Sequence, residues 1–221
     1  MIIKKLLSSL FLLCTISCYA QTQYLGKSDP DAKKILDNVS AKFKTYKSVS
    51  AHFTLKIENS AGKIMGTKDG TISMKDSKYR ISVSGQEIYS DGNNIWTYDK
   101  SANEVQITKF DPSANSITPQ KMFTNFYDKD FLYKLNGETK QGKKTLQEIE
   151  LTPTDKTKSF FKVIVEIDKN SKSIESTEIF EKTGDRYFYT VTSMKENINM
   201  PPGLFVFDVK NYPKVEVVDL R

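Results

Sequence analysis

From Phe53 onward the chain sets apolar residues at every second position in short runs separated by turn residues, a period satisfied by extended strands with one buried face. Phe53, Leu55 and Ile57 alternate with His52, Thr54, Lys56 and Glu58 before an Ala61-Gly62 turn. Ile72 and Met74 continue the pattern, as do Tyr79, Ile81 and Val83 beyond the polar break Lys75-Asp76-Ser77-Lys78. Ile88 and Tyr89 run into Asp91-Gly92, a strong hairpin dipeptide; Trp96 and Tyr98 share one face of the returning strand, and Val105 and Ile107 share one face of the next. Alternation resumes at Ile149 and Leu151, at Phe161, Val163, Val165 and Ile167, around residues 174–180, and at Tyr187, Tyr189 and Val191. Pro201-Pro202-Gly203 then turns the chain into Phe205, Phe207 and Val209, and a short tail ends at Val215 and Val217. Strands that follow one another in this way predict a meander.

Two segments carry the helical period instead. Asp29 can cap and Pro30 can start a helix whose stripe is Ile35, Leu36, Val39 and Phe43, reaching about Tyr46. Thr118 and Pro119 open a second, with Met122, Phe123, Phe126 and Tyr127 at helical spacing before Phe131, Leu132, Tyr133 and Leu135. The fold class is therefore mainly β (α+β): a strongly curved antiparallel sheet of about ten or eleven strands with helices covering its concave hydrophobic face. Strand parity assigns Phe53, Leu55, Ile57, Ile72, Met74, Tyr79, Ile81, Trp96, Tyr98, Phe161, Val163 and Val165 to that face. Val39 and Phe43, with Met122, Phe123 and Phe126, form an apolar lid over it.

Residues 1–20, MIIKKLLSSLFLLCTISCYA, read as a signal peptide: Lys4 and Lys5, an apolar run over residues 6–16, and small residues at 18 and 20 that suit cleavage before Gln21. The run is too short to span a bilayer as a helix. One domain over residues 21–221 follows, since no Gly/Pro/Ser tract divides it. Both cysteines, Cys14 and Cys18, fall in the removed segment, and Thr15-Ile16-Ser17 is a poor context for lipidation of Cys18. Without Lys4 and Lys5 the 33 basic residues become 31 against 27 acidic ones, with the signs interleaved. Export and so mild an excess argue against nucleic acid and for an anionic membrane surface or an acidic protein as electrostatic partner.

The only histidine, His52, lies on the polar side of its strand, so neither a Ser-His-Asp arrangement nor a zinc site is expected. GxGxxG and GxxxxGK[ST] are absent. Asp128 and Asp130 could serve as a hydrolase's acid pair, but among so many acids a solvated face explains them better. The chain is read as non-enzymatic, with no catalytic residue, metal or cofactor.

The segments HFTLKIENSAG (52–62), GTISMKDSKYRI (70–81), YSDGNNIWTYDKSANEVQI (89–107), ITPQKMF (117–123) and FVFDVKNYPKVEVVDL (205–220) resemble, in order and spacing, the periplasmic outer-membrane lipoprotein carrier (LolA) family, especially its Bacteroidetes-like members. The resemblance implies an unclosed antiparallel barrel with helices as a lid over a hydrophobic, lipid-binding cavity. It also implies a monomeric periplasmic chaperone without a cofactor. Such a carrier takes acylated lipoproteins from an inner-membrane lipoprotein-releasing transporter to an outer-membrane acceptor. One departure stands out: where the family has an Arg-Pro pair whose arginine holds the lid closed, this chain reads Asp76-Ser77. Arg80, alternating with Tyr79 and Ile81, is expected to point to the other face. A binding protein or sensor for another amphiphile, such as a glycolipid, is the alternative on the same half-barrel, and an exported hydrolase of the acid-pair type is a third reading.

Overall fold

The structure, a computed structural model, describes residues 26–111 and 127–221. The expected signal peptide and the expected lid residues Met122, Phe123 and Phe126 lie outside the described residues. A helix α1 (Pro30–Phe43) precedes six strands, β1 (Val49–Glu58), β2 (Ile64–Lys75), β3 (Lys78–Val83), β4 (Gln86–Ser90), β5 (Asn94–Asp99) and β6 (Glu104–Lys109). A short helix α2 (Tyr127–Asp130) leads into β7 (Phe131–Gln141), β8 (Lys144–Pro153), β9 (Phe160–Asp168), β10 (Ile174–Glu181) and β11 (Arg186–Glu196). Two 3-10 turns, Pro202–Phe205 and Val209–Asn211, then deliver the last strand, β12 (Glu216–Asp219).

All twelve strands belong to one curved sheet in the order β12-β6-β5-β4-β3-β2-β1-β11-β10-β9-β8-β7. Every neighbouring pair is antiparallel except β12 with β6, which run parallel. Its two edges, β7 and β12, do not pair, so the barrel stays open. The first helix begins as its sequence dictates. Asp29 accepts a hydrogen bond from Asp31 N at 2.9 Å, Pro30 fills a position that needs no donor, and the other Asp29 carboxylate oxygen accepts from Leu135 N at 3.1 Å. The cap therefore also fastens α1 to β7.

Three differences from the sequence expectation have physical causes. Phe131, Tyr133 and Leu135 open β7 and do not extend a helix, because their own alternation pairs with Pro153, Leu151 and Ile149 of β8. Phe205, Phe207 and Val209 do not form a strand: Pro201 and Pro202 remove two ladder donors, and Asp208 turns the chain by accepting from Lys210 N at 3.0 Å. The strand count is twelve, since the terminal residues around Val217 add a parallel strand along β6.

The Asp91-Gly92 connection is built as two turns in contact. Asp91 accepts from Asn93 N and Asn94 N at 2.8 and 2.7 Å, while Gly92 takes a φ of 91° and presses on the β2–β3 turn. A Cβ at Gly92 would lie 2.5 Å from Ser77 Oγ. Gly92→Ala is therefore expected to destabilise by about 1–2 kcal/mol or more, measured as a lowered thermal midpoint.

Candidate functional site

Hydrogen-bond register, followed strand to strand, shows what each face of the sheet presents. Val49, Ala51, Phe53, Leu55 and Ile57 of β1 lie on one side, opposite Met74, Ile72 and Gly70 of β2 and Val191, Tyr189 and Tyr187 of β11. The same side continues outward through Tyr79, Ile81 and Ile88, and in the other direction through Ile179, Val163, Val165, Leu151, Ile149 and Tyr133. This is the concave wall. At one end α1 seals it: Ala32, Leu36 and Val39 pack with Tyr127, Phe131, Ile149, Val165 and Ile167 in a core where several side chains have no solvent exposure. Each aliphatic side chain enclosed there contributes roughly 1.5–3 kcal/mol.

The middle of the wall is different. Phe53, Ile57, Ile72, Ile81, Ile88, Tyr189 and Val191 are only half-buried, although they stand on the same face as the sealed core. Phe53 lies flat over Gly70, so close that a Cβ there would sit 2.3 Å from the ring, which gives the wall a smooth apolar floor. Beside it, Val49, Met74 and Tyr79 form a smaller core with Phe43 and Tyr46 at the end of α1. A cleft of about 180 Å³ opens there, lined by Phe43, Tyr46, Val49 and Met74 together with Lys44, Lys47, Lys75 and Asp76.

The register gathers most of the expected cavity residues on this wall: Phe53, Leu55, Ile57, Ile72, Met74, Tyr79, Ile81, Val163 and Val165. Three others are corrected. Trp96 and Tyr98 stand on the opposite, outer face, because Trp96 pairs with Tyr89 and Tyr89 pairs with Arg80. The four-residue connection between Ser90 and Ile95 sets that parity. Phe161 is displaced by a β-bulge against β10, which turns Phe160 inward onto Phe131 and leaves Phe161 at 49% exposure. Of the expected lid, Val39 is buried in the sealed core and Phe43 belongs to the smaller one.

Sequence parity missed the second core that Trp96 belongs to. On the outer face Tyr89, Trp96, Tyr98, Val105 and Ile107 are roofed by the C-terminal strap, through Phe207, Tyr212 and Val215. Phe207 stacks on Tyr212 with centroids 4.2 Å apart and meets Tyr98 at 5.2 Å. Beneath lies Glu87, whose carboxylate accepts from Lys100 at 2.6 Å, Arg80 at 2.8 Å and the Tyr89 hydroxyl, which also bonds Tyr212 at 2.8 Å. Arg80 thus points away from the concave wall, as its alternation predicts. Burial alone would raise the Glu87 carboxyl, but the hydrogen bonds from Lys100, Tyr89 and Arg80 outweigh it and bring it down from 4.5 to about 2.

A carboxyl lowered on folding stabilises the protein above its unfolded value and loses that contribution as pH falls through the folded one. Stability is therefore expected to hold down to about pH 4.5 and to decline toward pH 2 by an amount on the order of 3 kcal/mol. Denaturant midpoints across that range should show the decline, and Glu87→Gln should remove most of this acid-dependent part. Among the described residues no three His, Cys, Asp or Glu side chains come together as a metal site. Asp128 is held by Lys33 at 3.1 Å, and Lys33 also bonds Asp37.

An open half-barrel with an apolar wall sealed at one end and half-bare in the middle defines a binding protein for apolar ligands, with no assembled catalytic group on that wall. The sequence profile of the family described as outer membrane lipoprotein carrier protein LolA matches residues 44–208, and the chain belongs to that family. It is 29% identical over 171 residues to the outer-membrane lipoprotein carrier protein of Cupriavidus necator, covering 74% of this chain and 78% of that protein. The corresponding protein of Cupriavidus pinatubonensis is 28% identical over 171 residues, with the same coverage. An uncharacterized conserved protein from Thermus thermophilus superposes with a TM-score of 0.58 at 14% identity, over 86% of this chain and 99% of that one, a likeness of fold alone. No described helix is long and apolar enough to cross a membrane.

Proposed function

We propose that this chain is a periplasmic carrier that binds the acyl chains of lipoproteins released from the inner membrane and delivers them to an outer-membrane acceptor. In this reading residues 1–20 direct export and are removed, and residues 21–221 act as one non-enzymatic, monomeric domain. The observation that carries it is the half-bare concave wall, where large apolar side chains from β1, β2, β3, β4 and β11 share one face yet remain open. Met122, Phe123 and Phe126 join Phe43 as its lid.

The incomplete enclosure suits the task. Each methylene withdrawn from water is worth about 0.8 kcal/mol, so a site that swallowed several acyl chains whole would never release them. A wall that covers the chains on one side holds them well enough to cross an aqueous space and lets an acceptor remove them by mass action. Mass spectrometry of lipid and lipopeptide co-purifying with the exported protein tests the proposal, together with lipoprotein release from spheroplasts. Acylated lipoprotein retained and released supports it. A different amphiphile bound in its place, such as a glycolipid, refutes the cargo assignment.

A further inference from the structure

Two β-bulges at one end of the sheet each push a large apolar side chain into solvent. In β2 the register slips so that Glu58 faces Ile64 and Met65 is left over; Ile64 is 58% and Met65 61% exposed. In β9 the slip against β10 leaves Phe161 over, 49% exposed. Both lie along one cross-strand row, Ile64, Glu58, Arg186, Phe180 and Lys162, which at about 4.8 Å per strand spans about 19 Å.

This rim is held together. A Cβ at Gly184 in the β10–β11 turn would lie 2.7 Å from the Cβ of Ser60 in the β1–β2 turn, and Lys182 Nζ donates to Lys156 O at 2.5 Å. Its central carboxylate, Glu58, is matched by Arg186, which also meets Glu178. Lysine stems cover the aromatic faces, with Lys162 Nζ 4.0 Å from the Phe180 centroid and Lys56 Nζ 3.8 Å from that of Phe188.

The β2 edge from Ile64 to Asp69 is open, since β3 begins to pair only at Gly70. Yet the bulge at Met65 and the lysines at 63 and 68 blunt it as a template for another strand. Exposed aliphatic and aromatic tips among lysines suit a fluid surface better: the tips enter the acyl boundary while ammonium groups meet anionic headgroups. We propose that this rim, through Ile64, Met65 and Phe161 with Lys63 and Lys162, docks the protein on an anionic lipid bilayer. The rim faces away from the concave wall, so the inference stands apart from the carrier reading.

Flotation of protein purified from the exported fraction tests it, using vesicles of phosphatidylcholine with and without phosphatidylglycerol. The protein is expected to float with the anionic vesicles, less so at high salt, and to stay behind with the neutral ones. The I64S/M65S double variant and F161S should each lower the bound fraction about tenfold, with thermal melts unchanged because these side chains are already exposed. Failure to bind anionic vesicles, equal binding to neutral ones, or binding indifferent to the substitutions overturns the proposal. Vesicle binding retained by the double variant alongside impaired lipoprotein release would assign the rim to a protein partner and overturn it as well.

Discussion

Phe207→Ala is expected to cost about 3–5 kcal/mol of stability while leaving cargo transfer per folded molecule unchanged. Phe207 is 4% exposed and its ring touches Tyr89, Tyr98 and Tyr212, so truncation leaves a void that neither the strap nor the sheet can fill. None of those partners stands on the concave wall. Urea unfolding gives the stability change, and release of lipoprotein from spheroplasts, normalised to folded protein, gives the transfer. A large transfer defect in a stable variant would show that the outer core, Trp96 included, contacts cargo after all.

The opposite pattern is expected at the middle of the concave wall. Ile72→Glu with Ile81→Glu places two carboxylates on a face that is already half-open to water, so the fold loses little apolar contact. An acyl chain lying there would lose two aliphatic partners and meet charge, and transfer should fall by about tenfold or more, the equivalent of roughly 1.4 kcal/mol. The two variants together separate structure from cargo binding: one is unstable and competent, the other stable and defective.

Much of this was legible in the sequence. Asp29-Pro30 marks the start of α1, and the alternation of β1, β3, β9 and β11 places the right residues on a common face. What parity within a strand does not show is which face of one strand continues onto the next when a turn adds or removes a residue. At β4 both Ile88 and Tyr89 are apolar, so the strand offers an apolar residue to each side, and the sheet changes its buried face there. Before β4 the apolar side is the concave wall; at β5 and β6 it is the outer face, where Trp96, Tyr98, Val105 and Ile107 meet the strap. The solitary tryptophan beside the Asp91-Gly92 turn is thus a core residue of that second layer. Phe161 failed for a related reason, because Phe160 and Phe161 are equally apolar and only the bulge in β9 decides which one turns inward. The strap itself carries an alternating pattern, and Pro201 and Pro202 are the local signal that it is not a strand.

The central claim, that the concave wall and no other surface holds the acyl chains, is tested most directly by photo-crosslinking from adjacent positions of opposite face. A crosslinking amino acid is placed singly at Phe53 and Ile81 on the wall, and at Thr54 and Ser82 on the outer side of the same strands. In the lipoprotein-loaded protein, adducts are predicted from Phe53 and Ile81 and none from Thr54 and Ser82. Adducts from Thr54 and Ser82, with Phe53 and Ile81 silent, would contradict the account.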